Sequence, residues 1–309
     1  LDFENEPPQE KFTRGPIRRI IGTQEKQSAQ ITFEVNHLVG DINLIEKDNN
    51  LQVLLRKPIK KKVSKTKTKK TKNTRKIKTI IIDAGHGGRD PGAVGVKHHE
   101  KEITLAVAKE LKKQLTSKGF IVKLTRTNDS FIPLQKRPKL ASDWDGDLFI
   151  SLHCNAIPGS KKRKESVRGF KIFILREAKS EEDKTIARRE NAFISKSSTK
   201  KKNISPVEWI LLEHQLNLYT KESERFTSHM VQHMEKNKHI HKHGSGASQA
   251  GFYVLVGAYM PAVLVEMGFI SNPKEEKYMA SRKGQKTIAK SITKSIIAYK
   301  NAVEQNSGQ

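Results

Sequence analysis

Three short apolar runs each end in residues able to do chemistry: Asp83-Ala84-Gly85-His86-Gly87-Gly88, Ser151-Leu152-His153-Cys154-Asn155 and Leu264-Val265-Glu266-Met267-Gly268-Phe269. Glu100 stands just ahead of a stretch with helical spacing. The carboxyl ends of strands are where open α/β sheets build their sites. His86 and His153 with Glu100 form a neutral-nitrogen, anionic-oxygen donor set suited to Zn²⁺, with a fourth position open to water. Glu266 is a spare carboxylate that can take a proton from such a water, whose pKa the metal lowers to roughly 7. Taken singly, each residue has an ordinary explanation. A histidine after a strand is commonly a satisfied structural residue, a glutamate at a helix start offsets the helix dipole, and glycines serve tight turns. Glu102 is a rival to Glu100 for the third donor.

The elements that must position these groups are legible in the hydrophobic pattern. Residues 79–82 form a β-branched run, and 102–118 place Ile103, Val107, Leu111 and Leu115 at helical spacing before Gly119. Further strands are expected at 120–125, 148–152, 169–175 and 263–265, and an amphipathic closing helix at 286–303. This alternation predicts an α/β domain over 77–309, a twisted, mostly parallel or mixed sheet flanked by helices. A polar insertion at about 157–245 interrupts it and is expected to be a helical regulatory element. Upstream, 30–36 alternates like a strand, and 42–45 and 51–55 flank a hairpin turn, giving a small β module over 1–58. Residues 59–76 read as a basic disordered linker.

Composition narrows the function classes. The net charge is +26, and residues 56–78 alone carry 13 basic side chains and no acid. A polyanionic neighbour is implied. A nucleic-acid binder is disfavoured, because aromatic residues make up only 6% and no reader motif is present. No apolar run is long enough to span a membrane. The chain opens on Leu1 without a basic and apolar leader, so a secretory signal is expected to have been removed already. The single cysteine, Cys154, excludes an intramolecular disulfide and is expected to pack as a small hydrophobe facing away from His153.

Residues 79–111, TIIIDAGHGGRDPGAVGVKHHEKEITLAVAKEL, closely resemble the opening motif of zinc-dependent N-acetylmuramoyl-L-alanine amidases of the amidase-3 type. LTRTNDSFIPLQKR (124–137), DLFISLHCNA (147–156), RGFKIFIL (168–175) and PAVLVEMGFISNPKEE (261–276) resemble that family's later blocks in order and spacing. The resemblance implies that His86, Glu100 and His153 bind one zinc ion and that Glu266 is the catalytic carboxylate. The family's E-K-x-x-x-L pattern falls on Glu100, Lys101 and Leu105 and so favours Glu100 over Glu102. It further implies hydrolysis of the amide between N-acetylmuramic acid and L-alanine in peptidoglycan, in the periplasm, during wall remodelling and daughter-cell separation. Retention of Glu266 and the donor set argues against a wall-binding protein without activity. The first 58 residues resemble the tail of AMIN-type β domains that precede some wall enzymes.

Residues 178–191, AKSEEDKTIARREN, resemble the helix that follows the fourth strand in autoinhibited amidases, where a glutamate caps the zinc. Aligned on Glu190-Asn191, that glutamate is expected to be Glu182. Residues 206–219, PVEWILLEHQLNLY, open with proline at a helix first turn and are apolar nearly all round, including Trp209, Leu212 and Leu216. The resemblance implies a LytM-type activator protein as their partner. His229 and His233 lack a third donor nearby, and His239, His241 and His243 read as solvated.

Overall fold

The computed structural model describes residues 9–11, 17–25, 28–35, 41–47, 50–56, 76–197 and 206–306, with side chains at 21, 76–192 and 219–305. The chain divides into two units, Leu1–Thr71 and Lys72–Gln309. In the first, β1 (Gln9–Lys11), β2 (Ile17–Glu25) and β3 (Ser28–Val35) form an antiparallel sheet, and β4 (Asp41–Lys47) pairs antiparallel with β5 (Asn50–Arg56). The last pair is the hairpin expected from the sequence. Of the linker expected at 59–76, residues 59–75 lie outside the described residues.

The second unit runs β6 (Thr79–Ala84), α1 (Glu100–Thr116), β7 (Ile121–Leu124), α2 (Lys136–Asp143), β8 (Leu148–Asn155), α3 (Lys161–Ser166) and β9 (Phe170–Leu175). It continues α4 (Glu181–Ser197), α5 (Pro206–Met234), β10 (Lys242–Ala250), a 3₁₀ turn at Tyr253–Leu255, β11 (Ala262–Phe269), α6 (Pro273–Ala280) and α7 (Arg282–Asn306). Six strands form one sheet in the order β10-β9-β11-β8-β6-β7. All neighbours are parallel except β9 and β11, so the sheet is mixed, as expected. β10 was not legible: KHGSGASQA has neither alternation nor β-branched residues, and its strand conformation follows from its pairing with β9.

Both faces of the sheet are covered, which a largely parallel sheet requires. Along β8, Leu148, Ile150 and Leu152 join one core while Phe149 joins the other, following the strand's period of two. Ile103, Val107, Leu111 and Leu115 of α1, Ile288, Ile292 and Ile296 of α7, and Phe226 and Met230 of α5 fill the first. Ile186 and Ala187 of α4 pack with Phe173, Phe252 and Leu264 in the second. Cys154 is fully buried in the first core, its Sγ 4.0 Å from Met279 Sδ, and acts as the small hydrophobe expected.

Candidate metal centre

His86 follows β6 in a loop that the sequence shapes tightly. Asp83, completely buried, accepts hydrogen bonds from Thr125 Oγ1 (2.6 Å), Ser151 Oγ (2.7 Å) and Arg137 Nη1 (2.9 Å). Arg137 also donates to the carbonyls of Ala84 and His86, each at 2.9 Å. His86 itself sits at φ +61°, a left-handed conformation that costs a non-glycine residue about 1–3 kcal/mol unless its surroundings hold it. The Arg137 bond and the paired Gly87–Asp90 backbone bonds (2.9 and 3.1 Å) do the holding. Asp90 Oδ2 lies 2.8 Å from His86 Nδ1 and turns Nε2 inward. A Cβ on Gly85 would come within 2.7 Å of the His153 ring nitrogen Nε2, so only glycine lets the two loops approach this closely.

Glu100 begins α1, completely buried, and Ala93 N–H donates to its Oε2 at 2.8 Å. The loop ahead of it is pinned by buried Glu276 of α6, which accepts from the backbone N–H groups of Val96 (2.9 Å), Lys97 (2.7 Å) and His98 (2.8 Å). Sequence reading did not single out Glu276, since nothing local marks a carboxylate that serves a loop so distant in the chain. Glu102, the rival donor, instead accepts from His99 N–H at 3.1 Å and remains half exposed.

His153 on β8 stands opposite Glu266 on β11 in register, placing both toward the carboxyl ends of two neighbouring central strands. His86, Glu100 and His153 converge as the sequence suggested, and Glu190 of α4 joins them, with one possible ligand atom from each lying within 4.8 Å of the others. His86 Nε2 is 3.1 Å from both Glu100 Oε2 and Glu190 Oε2. His153 Nδ1 is 3.0 Å from Glu100 Oε1 and 2.9 Å from Glu190 Oε2. His86 Nε2 and Glu190 Oε2 are buried and lie this close to partners, yet make no hydrogen bond of proper geometry. Tetrahedral ligands about 2.0 Å from an ion stand about 3.3 Å apart, so this donor set fits Zn²⁺ in type and spacing.

The expectation for Glu182 is corrected by the structure. Glu182 lies in the first turn of α4, half exposed, where its carboxylate meets His243 Nε2 at 2.9 Å and Lys171 Nζ at 3.2 Å. Glu190 is eight residues further on, about 12 Å along the helix axis. The helix start is anchored beside β9 and β10, through Asp183 to Lys171 (2.7 Å) and Ser248 (2.7 Å). Its third turn is anchored by Asn191, which donates to Gly251 O (2.8 Å) and accepts from Tyr253 N–H (3.0 Å). His243 is therefore paired rather than simply solvated, whereas His239 and His241 are exposed as expected. His233 Nδ1 bonds the His229 carbonyl at 3.0 Å, with no third donor grouped there among the described residues.

Arg189, also missed in the sequence, bridges the two carboxylates. Its Nε meets Glu190 Oε1 at 2.8 Å and its Nη2 meets Glu266 Oε1 at 3.3 Å, while Nη1 donates to Ala156 O at 2.6 Å. Burial pushes the Glu266 carboxyl up to about 8, against the pull of the Arg189 charge. Burial disfavours a charged His153, yet Glu190 and Glu100 beside it raise it to about 9. Glu100 shows the converse: burial opposes its charge, but His86 brings it down to about 2. Exposure of the side chains is 10% for His86, 3% for His153, 2% for Glu190 and zero for Glu100 and Glu266, so the cluster is closed to solvent, with Glu190 of α4 among the side chains that close it.

Comparison with known proteins agrees with this geometry. The family model for N-acetylmuramoyl-L-alanine amidases matches residues 80–298. The amidase AmiA of Salmonella typhimurium is 36% identical over 243 residues, covering 76% of this chain and 80% of the relative. AmiA of Escherichia coli is 34% identical over the same length with the same coverage. The catalytic domain of CwlV, an N-acetylmuramoyl-L-alanine amidase from Bacillus (Paenibacillus) polymyxa var. colistinus, superposes with a TM-score of 0.53 at 27% identity, covering 72% of this chain and 97% of that one. With both cluster histidines, Glu100, Glu190 and Glu266 falling inside the matched region, the chain belongs to the amidase-3 family and is an N-acetylmuramoyl-L-alanine amidase of cell-wall remodelling.

Proposed function

We propose that the chain is a zinc-dependent, autoinhibited amidase that cleaves the bond between N-acetylmuramic acid and L-alanine. His86, Glu100 and His153 are the resident ligands and Glu190 is the removable fourth. When bound, the ion supplies Lewis-acid chemistry, polarising an amide carbonyl and making water acidic enough to lose a proton near neutral pH. Glu266 takes that proton and returns it to the departing L-alanine nitrogen. Its placement opposite His153 across the β8–β11 pair puts the base within one strand spacing of the donor set. Asp90 and Arg137 hold His86 in its tautomer and its strained backbone conformation.

The observation that carries the autoinhibition is the closed cover over the cluster. Glu190 fills the position that water or a carbonyl needs, and Arg189 of the same helix engages the catalytic carboxylate. Both obstacles belong to α4, so one displacement of that helix removes them together. An activator of the LytM type is the partner we assign to this step. The helical face expected to receive it, with Trp209, Leu212 and Leu216, lies in the part of α5 whose side chains are outside the described residues. Peptidoglycan lies outside the cytoplasmic membrane, so we place the enzyme in the periplasm. Among the described residues no helix is long and apolar enough to cross a membrane.

The test is digestion of purified sacculi with the zinc-loaded chain, with and without chelator, followed by mass analysis of the products. The reading expects stem peptides with a free L-alanine amine, lost on chelation and restored by zinc. Glycan-strand cleavage, peptide cross-bridge cleavage or activity indifferent to chelation would refute it.

A further inference from the structure

β8 carries a further polar side chain on the face of the sheet that bears His153. Leu148, Ile150, Leu152 and Cys154 enter one core and Phe149 the other, so His153 and Asn155 share the face of Phe149. Asn155 is 1% exposed, and its hydrogen bonds fix which way its amide is turned. Its Oδ1 meets two groups that only donate, Ala156 N–H at 2.8 Å and Arg189 Nη1 at 3.1 Å. A flipped amide would set its own N–H groups against both. The other end is therefore Nδ2, which is buried and has no hydrogen-bond partner among the described residues. Buried donors are nearly always paired, so one that is not calls for a ligand or a role.

Arg189 ties this amide to the catalytic carboxylate. Its Nη1 also donates to Ala156 O at 2.6 Å, while Nη2 of the same guanidinium lies 3.3 Å from Glu266 Oε1. Asn155 Oδ1, Ala156 O and Glu266 Oε1 thus stand around one guanidinium group. The backbone beneath them is fixed, because Ile270 N–H donates to Asn155 O at 2.8 Å and Ile157 N–H donates to Ser271 Oγ at 3.1 Å. Once α4 carries Arg189 away, the platform offers an acceptor, Ala156 O, and a donor, Asn155 Nδ2, close to Glu266. An extended peptide residue has the complementary pair, its own N–H and C=O on one side. Groups held this firmly set the position of a reacting bond.

We propose that Asn155 and the Ala156 carbonyl form the dock for the L-alanine residue of the peptidoglycan stem. Ala156 O accepts the N–H of the bond to be cleaved, and Asn155 Nδ2 donates to the L-alanine carbonyl. In the closed chain Arg189 occupies the acceptor half with its own N–H. The identity of the docked residue rests on the amidase reading, in which the nitrogen that Glu266 protonates lies within reach of that carboxylate. Asn155 then touches the substrate and orients it, a task separate from those of the metal donors and the base.

The test is a cycle between residue and substrate in a zinc-loaded full chain carrying Arg189→Ala/Glu190→Ala, which removes both α4 groups from the site. The probes are N-acetylmuramoyl-L-alanyl-D-glutamate and its isostere with an alkene in place of the alanyl-glutamate peptide bond, which lacks the L-alanine carbonyl. Losing that carbonyl is expected to lower kcat/KM about tenfold with Asn155 present and less than about twofold in an Asn155→Ala variant. Asn155→Asp keeps the acceptor for Ala156 N–H and gives up the donor, so it is expected to match Asn155→Ala. A damaged fold slows both probes alike and leaves the preference intact. A tenfold preference that survives in Asn155→Ala or Asn155→Asp, or no preference with Asn155 present, would overturn the dock. The same ratio is read from dissociation constants in a Glu266→Gln version, which binds without turnover. A chain that shows the preference in binding yet leaves sacculi intact would keep the dock and overturn the amidase chemistry. Sacculus cleavage without any carbonyl preference would do the reverse.

Discussion

Replacing Glu190 with alanine tests the cover over the metal centre. In the closed arrangement the Glu190 carboxylate meets His86 Nε2 at 3.1 Å, His153 Nδ1 at 2.9 Å and Arg189 Nε at 2.8 Å, with 2% of the side chain exposed. A hydrogen bond to a charged group contributes about 1.5–3 kcal/mol net, so deleting this carboxylate raises the open fraction about 10- to 100-fold. Basal release of dye-labelled fragments from sacculi by the zinc-loaded chain without any partner should rise by that factor. Zinc content should stay at one ion per chain, since His86, Glu100 and His153 remain. Glu182→Ala is the matched control. It lies two turns away with its side chain 48% exposed, so its rate should change by less than about twofold. A Glu190→Ala chain no faster than the parent, or one that loses zinc and activity together, would refute the reasoning. So would a Glu182→Ala chain with the same gain.

Three further outcomes follow from the same geometry. Glu266→Gln in the derepressed background should lower kcat by about 10²–10⁴-fold while keeping its zinc, read by sacculus turnover alongside metal analysis. Arg137→Met should destabilise the fold by about 3–5 kcal/mol, because it strands the buried Asp83 charge. Burial disfavours that charge, yet Arg137, Thr125 and Ser151 hold the Asp83 carboxyl below its ordinary value of 3.8. The stabilisation is thus present above that pH and lost as pH falls through the folded value, so denaturation curves of parent and variant should converge in acid. Finally, His153 is raised to about 9, so zinc must displace protons near neutral pH. Zinc affinity should therefore climb between about pH 6 and 9, and calorimetry in buffers of different ionisation heat should show proton release; a flat profile would contradict this.

The part of the site built on strand ends was legible as an ordered set of blocks resembling the amidase-3 family, since each residue taken singly has an ordinary explanation and that resemblance chose Glu100 over Glu102. His86, His153 and Glu266 each end or interrupt an apolar run, and Glu100 opens an amphipathic helix. The fold class followed from the same runs, and β8 and β11 proved only longer than expected, at Leu148–Asn155 and Ala262–Phe269. What was not legible depends on docking. α4 offers Glu181, Glu182, Asp183 and Glu190, and which of them meets the histidines is decided by where Asn191 anchors, on Gly251 and Tyr253 some 60 residues away. Arg189 was missed for the same reason. Asp90, four residues after His86 in a glycine loop, carried a usable signal, because a histidine ligand needs a second acceptor to fix its ring.

The central claim is that one zinc ion sits where four side chains converge beneath α4. Anomalous diffraction at the zinc edge from crystals of the zinc-loaded chain tests it most directly. The account predicts a single strong peak within bonding distance of His86 Nε2, His153 Nδ1, Glu100 and Glu190, with Glu182 still paired to His243. A peak at any other group of side chains, or a Glu182 carboxylate on the ion in place of Glu190, would contradict it.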